Sequence, residues 1–165
     1  MFFPDIYGSW EEKQKEKYEG IFRVLGDDFL SKLFKAKTLD IGYGAGFLKK
    51  FLESRSIPAK LYGVDTRPAP AEMFVLGDGG QMPFRDESFG FVVSIDTMHL
   101  IGSDDFRRVL ENRGHALLGL FFNDDNRQER MKILHDKLRG FEIIAEFELR
   151  GMENEYVVLG RKRYC

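Results

Sequence analysis

The chain has one cysteine, Cys165 at its last position, so no internal disulfide can form and a reducing, cytoplasmic compartment is expected. Long apolar runs are also missing. The longest, HALLGLFF at residues 115–122, falls well short of the roughly 20 residues that a bilayer-spanning helix needs. The opening MFFPDIYGSWEEK has neither the basic start nor the apolar centre of a secretory signal. No sign of charge dominates: 25 Lys and Arg stand against 27 Asp and Glu, a net −2, so no global attraction to nucleic acid or an anionic membrane is expected. No repeat, low-complexity tract or long linker interrupts the 165 residues, a length that suits one domain. We expect that domain to span 1–165, with a helical segment at 1–36 and a sheet-containing core at 37–165, and no metal site.

What is present is an alternation of apolar strands and amphipathic helices. Ser9 and Glu12 in SWEE read as a capping box for a first helix whose inner face is Tyr18, Ile21, Phe22 and Leu25. Gly26 breaks it, and Asp27 or Asp28 starts a short second helix with Phe29, Leu30, Leu33 and Phe34 inward. KTLDI is a buried strand, followed by a helix with Phe47, Leu48, Phe51 and Leu52 inside and Lys49, Lys50 and Glu53 outside. KLYGVD, MFVLGD and FGFVVSID are the next three strands. A helix with Phe106, Val109 and Leu110 follows, then HALLGLFF as a fifth strand and a charged helix over 124–139 seamed by Met131, Leu134 and Leu138. FEIIAEFEL and EYVVLGRK, joined by RGMEN, are close enough to pair as an antiparallel hairpin. The pattern predicts an α/β, Rossmann-like, doubly wound and mostly parallel seven-stranded sheet with one antiparallel strand. Only TRPAPAE links the second and third strands, and Pro68 and Pro70 oppose a helix there, so one sheet face is expected to be thinly covered.

The third feature is the stretch LDIGYGAG. Gly42, Gly44 and Gly46 follow directly on the first strand, and Asp40, Asp65, Asp78 and Asp96 close successive strands. Ligands of open α/β sheets bind beyond the carboxyl ends of the strands. Four acids at one rim repel one another, so the rim calls for a cationic or hydroxyl-rich ligand, whereas phosphate favours helix N–H groups with nearby Lys or Arg. The dinucleotide fingerprint G-x-G-x-x-G also fails, since Phe47 stands where its third glycine belongs. Asp65, 19 residues beyond Gly46, lies at the spacing from which a carboxylate takes ribose hydroxyls.

LDIGYGAG, YGVD and GDGGQMPFRDESFGFVVS resemble the class I S-adenosylmethionine-dependent methyltransferases, in particular their small-molecule branch, over residues 38 to about 122. The resemblance implies S-adenosyl-L-methionine as cofactor and S-adenosyl-L-homocysteine as product. It implies that Gly42, Tyr43, Gly44 and Gly46 form the floor under the methionine and ribose, and that Asp40 helps hold the amino-acid end. Asp65 would take the ribose hydroxyls, Asp78 the adenine amino group, Gly79 the ring edge, and Thr66 and Met82 the two sides of the adenine. An acid rim suits a ligand carrying an ammonium and a sulfonium. The family's P-G-G turn before the fifth strand reads NRGH here, keeping only Gly114.

Asp96 and His99 in SIDTMHLI are the candidates at the acceptor end, His99 as base or pocket wall. His115 and His135 are read as structural. Tyr7, Trp10 and Tyr18 are read either as core aromatics or as a cover over the cofactor. The implied activity is methyl transfer to an unidentified small-molecule acceptor; the alternative is a non-catalytic cofactor-binding protein or partner subunit. The thinly covered sheet face offers a route to homo-oligomers. A nicotinamide enzyme is disfavoured by Phe47 and Asp78, and an amino-group methylase of the N/D-P-P-Y/F type by SIDT after the fourth strand.

Overall fold

The computed structural model describes residues 4–164, with side chains from Ser9 onward. Its centre is a seven-stranded sheet in the order β3-β2-β1-β4-β5-β7-β6. The strands are β1 Lys37–Ile41, β2 Lys60–Asp65, β3 Phe74–Leu76, β4 Phe89–Ile95, β5 Leu110–Phe122, β6 Glu142–Leu149 and β7 Asn154–Arg161. The first five run parallel, and β7 pairs antiparallel with both β5 and β6. The predicted sheet, with its single antiparallel strand, is therefore the observed one.

Helices α1 Pro4–Leu25, α2 Asp27–Leu33 and α3 Phe47–Ser54 cover one face. Tyr18, Ile21, Phe22, Leu30, Phe34, Leu48, Phe51 and Leu52 bury themselves against Phe91, Val93, Leu117 and Val157. Helices α4 Phe106–Val109 and α5 Arg127–Lys137 cover the other, where Phe106, Val109, Leu134 and Leu138 meet Leu39, Val92, Leu118 and Val158. Strands buried on both sides read as unbroken apolar runs because alternate residues feed different cores: Leu117 enters one and Leu118 the other.

Several local expectations change. Helix α1 begins at Pro4, so Ser9 lies inside it and not at its start. Proline tolerates a first helical turn, where its missing N–H has no partner to lose. Phe29 is exposed, because α2 is only two turns long and presents Leu30 and Phe34 to the sheet instead. The helix expected to include Leu110 ends at Val109, and β5 starts at Leu110, five residues ahead of His115. Residues 66–73 hold no helix, as the prolines foretell, and residues 77–88 hold none either. Strand β3 is consequently the thin edge of the sheet, with Met73 and Leu76 exposed beside it.

Candidate functional site

At the carboxyl ends of β1, β2 and β4 the rim divides into two halves. In the first half the glycine loop turns directly from β1 into α3. Gly42, Gly44 and Gly46 all have left-handed backbones, with φ of 80°, 56° and 76°. Gly42 is the tightest: a Cβ there would overlap the side chain of Thr97, which follows β4. Glycine at this point lets the loop close against the neighbouring strand end. Tyr43 turns inward; its ring is buried, lies against Gly63 and meets Phe74 at 5.6 Å between centroids. It supports the loop from beneath, and a Cβ on Gly46 would come within 2.8 Å of its hydroxyl.

The acids around the loop are differently occupied. Asp65 Oδ2 accepts the Gly44 N–H at 2.8 Å and Oδ1 the Arg67 N–H at 3.0 Å, so the carboxylate is held in place before any ligand arrives. Asp78 is exposed, and its Oδ1 accepts the Gly80 N–H at 2.7 Å. Asp40 is only 4% exposed. Burial, reinforced by the charge of Asp65, pushes its carboxyl up to about 7. No cation among the described residues offsets it. Gly79 packs so closely that a Cβ would stand 2.6 Å from Ile101 Cδ1. Thr66 is exposed beside Asp65, whereas Met82 is buried in the core under α4.

The segment after Asp78 has no helix to hold it, and side chains of 103–108 do so instead. Ser103 Oγ donates to the Gly80 carbonyl at 2.6 Å, and Asp105 Oδ2 accepts the Met82 N–H at 2.7 Å. Arg108 donates to the carbonyls of Phe84 and Met82 at 2.7 and 3.0 Å and to Asp105 and Asp86. Nothing in the sequence marks this brace, because its donors lie 22 to 26 residues from its acceptors.

The second half of the rim is built by long-range contacts. Asp96 ends β4 with φ of 64°, an uncommon conformation that Asp and Asn tolerate best. Its Oδ1 accepts the Phe121 N–H at 2.8 Å, and its Oδ2 accepts from Gln14 at 3.0 Å and from Lys17 Nζ at 2.6 Å. The Lys17 ammonium also meets Glu153 at 2.8 Å and Glu155 at 3.2 Å. Burial opposes the Lys17 charge, but Glu155 and Asp96 outweigh it and hold its pKa above the ordinary value. Burial likewise opposes ionised Asp96, and Lys17 overcomes it. Glu155, fully buried beside them, is pushed well above the usual carboxylate range by burial and by Asp96. Within the cluster the ionised form of Asp96 and the charged form of Lys17 are favoured, and Glu155 is the carboxyl whose charge burial opposes most. Of the two acceptor-end candidates, Asp96 is committed to this cluster, while His99 stands apart from it on a 3-10 turn, Met98–Leu100.

His99 lies edge-on to Phe121 at 6.2 Å, and the Arg130 guanidinium lies 5.2 Å from the centre of the same ring. Burial, then the charge of Arg130, lowers the His99 pKa, so the imidazole is neutral. Arg130 was not foreseen; its only trace in the sequence is a place three and seven residues before Ile133 and Lys137, on one face of a helix whose charge hides the pattern. Of the N-terminal aromatics, Tyr18 is core, its ring tilted against Phe51 at 5.5 Å, and Trp10 is 43% exposed. The Tyr7 side chain falls outside the described residues. His135 is exposed and pairs with Glu146, and His115 is half-buried in β5.

A left-handed glycine loop, a carboxylate on the next strand end and a strand order with one reversed hairpin define the class I methyltransferase architecture. Residues 39–117 match the family model described as a methyltransferase domain. No curated protein sequence matches the chain. Among solved structures, a Burkholderia thailandensis 1,6-didemethyltoxoflavin-N1-methyltransferase, solved with its substrate and S-adenosylhomocysteine, is similar at 15% identity and a TM-score of 0.62, covering 99% of this chain and 92% of that one. An Aquifex aeolicus S-adenosylmethionine-dependent methyltransferase is similar at 18% identity and a TM-score of 0.57, covering 75% and 80%. The Haloferax volcanii complex of the Trm112 methyltransferase activator with its methyltransferase-like partner matches at 14% identity and a TM-score of 0.63, covering 78% and 82%. The chain has the fold of the class I S-adenosylmethionine-dependent methyltransferases, and S-adenosylmethionine is the cofactor that its matched domain implies.

The residues present fit that cofactor. Asp40 is a buried carboxyl with no matching cation among the described residues, beside a loop in which Gly42, Gly44 and Gly46 leave the backbone bare.

Proposed function

We propose that the chain transfers a methyl group from S-adenosylmethionine to a small-molecule acceptor by in-line displacement. When bound, the cofactor supplies an electrophilic methyl group, so the protein chiefly has to align acceptor, carbon and sulfur. In this reading Asp40 takes the ammonium, and its proton leaves as that charge arrives. Asp65, already fixed by the Gly44 and Arg67 N–H groups, keeps free lone pairs for two ribose hydroxyls. Asp78 and the Gly79 backbone take the adenine edge, with Thr66 on one side of the ring; Met82 acts through the core beneath. The single observation that carries the reading is the buried, unmatched Asp40 beside three left-handed glycines.

Calorimetric titration with S-adenosylhomocysteine and with NAD tests it. Saturable binding of the sulfur nucleoside and none of NAD is expected; the reverse result sinks the reading. A cytoplasmic location accords with the lone Cys165, and no described helix is long and apolar enough to cross a membrane.

One observation favours the second reading, a partner subunit or homo-oligomer. Strand β3 is a free edge with neither flanking helix, and Leu76 on it is 61% exposed. Light scattering of the purified chain, alongside turnover with an acceptor panel, separates the two readings.

A further inference from the structure

A cavity of about 360 Å³ lies between α1 and the turn that joins β6 to β7, bordered on one side by Glu16, Glu19 and Arg23 and on the other by Leu149 and Arg150. No residue of the glycine loop borders it. Positions 16, 19, 20 and 23 recur at steps of three and four, so they form one face of α1. Gly20 stands in the middle of that face, and a Cβ there would come within 2.8 Å of Leu149 Cδ1. The missing side chain lets helix and hairpin approach closely at this point.

Part of the charge around this cavity is already matched. Lys17, which also borders it, is held by Asp96, Glu153 and Glu155, and Arg150 donates to Glu148 at 2.8 Å. Three groups on α1 are not matched. Glu16 Oε1 accepts the Met152 N–H at 2.7 Å but meets no cation among the described residues. The side chains of half-buried Glu19 and exposed Arg23 have no partner at all among them. Glu followed four residues later by a cation is the order that pairs best on a helix, yet this pair stays open. Two carboxylates without a cation and one guanidinium without a carboxylate therefore line one small space. A ligand that completes both halves carries a positive and a negative group a short way apart.

We propose that this cavity binds a free α-amino acid with a modest apolar side chain. An ammonium has three N–H donors, which suits the two carboxylates of Glu16 and Glu19, and the Arg23 fork takes a carboxylate through two parallel bonds. Four residues of helix rise about 6 Å, so Glu19 and Arg23 are spaced for one α-carbon carrying both groups to lie between them. Leu149 supplies an apolar wall for the side chain. The volume, at the lower end of the roughly 300–1,000 Å³ of ligand pockets, limits how large that side chain is. The site shares no residue with the glycine loop or with the acids proposed to hold the cofactor, and it does not depend on the methyltransferase reading.

L-Leucine is the probe, titrated by calorimetry or ligand-observed NMR with and without saturating S-adenosylhomocysteine. 4-Methylpentanoate, which lacks the ammonium, and 3-methylbutylamine, which lacks the carboxylate, are the controls. Wild type is expected to bind leucine at least about tenfold tighter than either. Arg23→Gln should weaken leucine at least about tenfold and Glu19→Gln at least about threefold, each with native circular dichroism. Saturating S-adenosylhomocysteine should move leucine affinity by no more than about twofold. The proposal is overturned by absent leucine binding, by a control that equals it, or by indifference of either variant. Displacement of leucine by S-adenosylhomocysteine overturns it too, because the amino acid then sits in the cofactor cleft. Should a variant fail to fold, the comparison of the three ligands on the unaltered chain still decides. Leucine held through Arg23 while S-adenosylhomocysteine does not bind overturns the methyltransferase reading alone and leaves the amino-acid site standing.

Discussion

The two halves of the sheet's carboxyl rim solve opposite electrostatic problems. The half around the glycine loop gathers Asp40, Asp65 and Asp78 and pairs none of them with a cation among the described residues, so its charge is open to a ligand. The half around Asp96 gathers Asp96, Glu153 and Glu155 but inserts Lys17 among them, so a cation is supplied from within. A charge matched by the fold is structural, whereas one left unmatched is available to a ligand. The same test that marks Asp40 as open to a ligand sets Asp96 aside.

Removing a charge should therefore harm the fold in one half and only binding in the other. The largest effect is expected at Lys17, whose side chain is 2% exposed. Lys17→Ala strands ionised Asp96 beside Glu155 and should cost about 3–5 kcal/mol of stability, read from urea melts. A loss under about 1 kcal/mol would show that water or another cation reaches the cluster and would erase the contrast.

Asp65→Ala comes next and should act in the other currency. It deletes the carboxylate proposed to take two ribose hydroxyls, and S-adenosylhomocysteine affinity should drop about a hundredfold while circular dichroism stays native. Undiminished affinity in calorimetry would contradict the ribose role. Gly42→Ala should couple both effects. Its φ is 80°, and the new methyl overlaps Thr97, so a loss of about 2 kcal/mol in stability is expected together with weaker cofactor binding. Adding Thr97→Ala removes the Oγ1 and Cγ2 overlaps but leaves the Thr97 Cβ at 2.8 Å and the backbone strain. The double variant should recover only part of the stability, and full recovery would show that the φ is unimportant.

The halves also differ in how far the sequence disclosed them. Glycines, Asp65 and Asp78 follow one another at strand ends, and the bond from the loop to Asp65 spans a single βα unit, so spacing alone exposed the loop. Lys17 meets Asp96 from 79 residues away and Glu153 from 136, and no local pattern announces such pairs. Sequence reading therefore found Asp96 and His99 by position but could not see that one is neutralised and the other is not. Element ends were lost for a related reason. Ser9 and Phe29 obey helix propensity taken alone, but the reach of α1 and the shortness of α2 are set by what packs beneath them. The missing crossover helix was legible, since proline acts on its own backbone. What holds the unhelical 77–88 in place was not, because Arg108 and Asp105 come later in the chain.

The smallest expected effect sharpens the comparison most, since Asp40 should behave as no member of the Lys17 cluster does. Its carboxyl, ordinarily near 3.8, is raised to about 7 in the fold by burial and Asp65. Between those values the folded chain keeps a proton that the unfolded chain has lost, so ligand-free stability should fall as pH rises from 4 to 7 and then level off. Asp40→Asn removes this slope and should raise the ligand-free melting temperature at pH 8 by a few degrees, about 1 kcal/mol. Binding should show the opposite trend: wild-type affinity for S-adenosylhomocysteine should weaken as pH falls below 7, because the ammonium must displace the proton, and Asp40→Asn should bind more weakly with a flat profile. Calorimetry near pH 6.5 in buffers of different ionisation enthalpy should then register a proton released on binding. A wild-type profile as flat as that of Asp40→Asn would mean that Asp40 is already matched, and the distinction between the two halves of the rim would not hold.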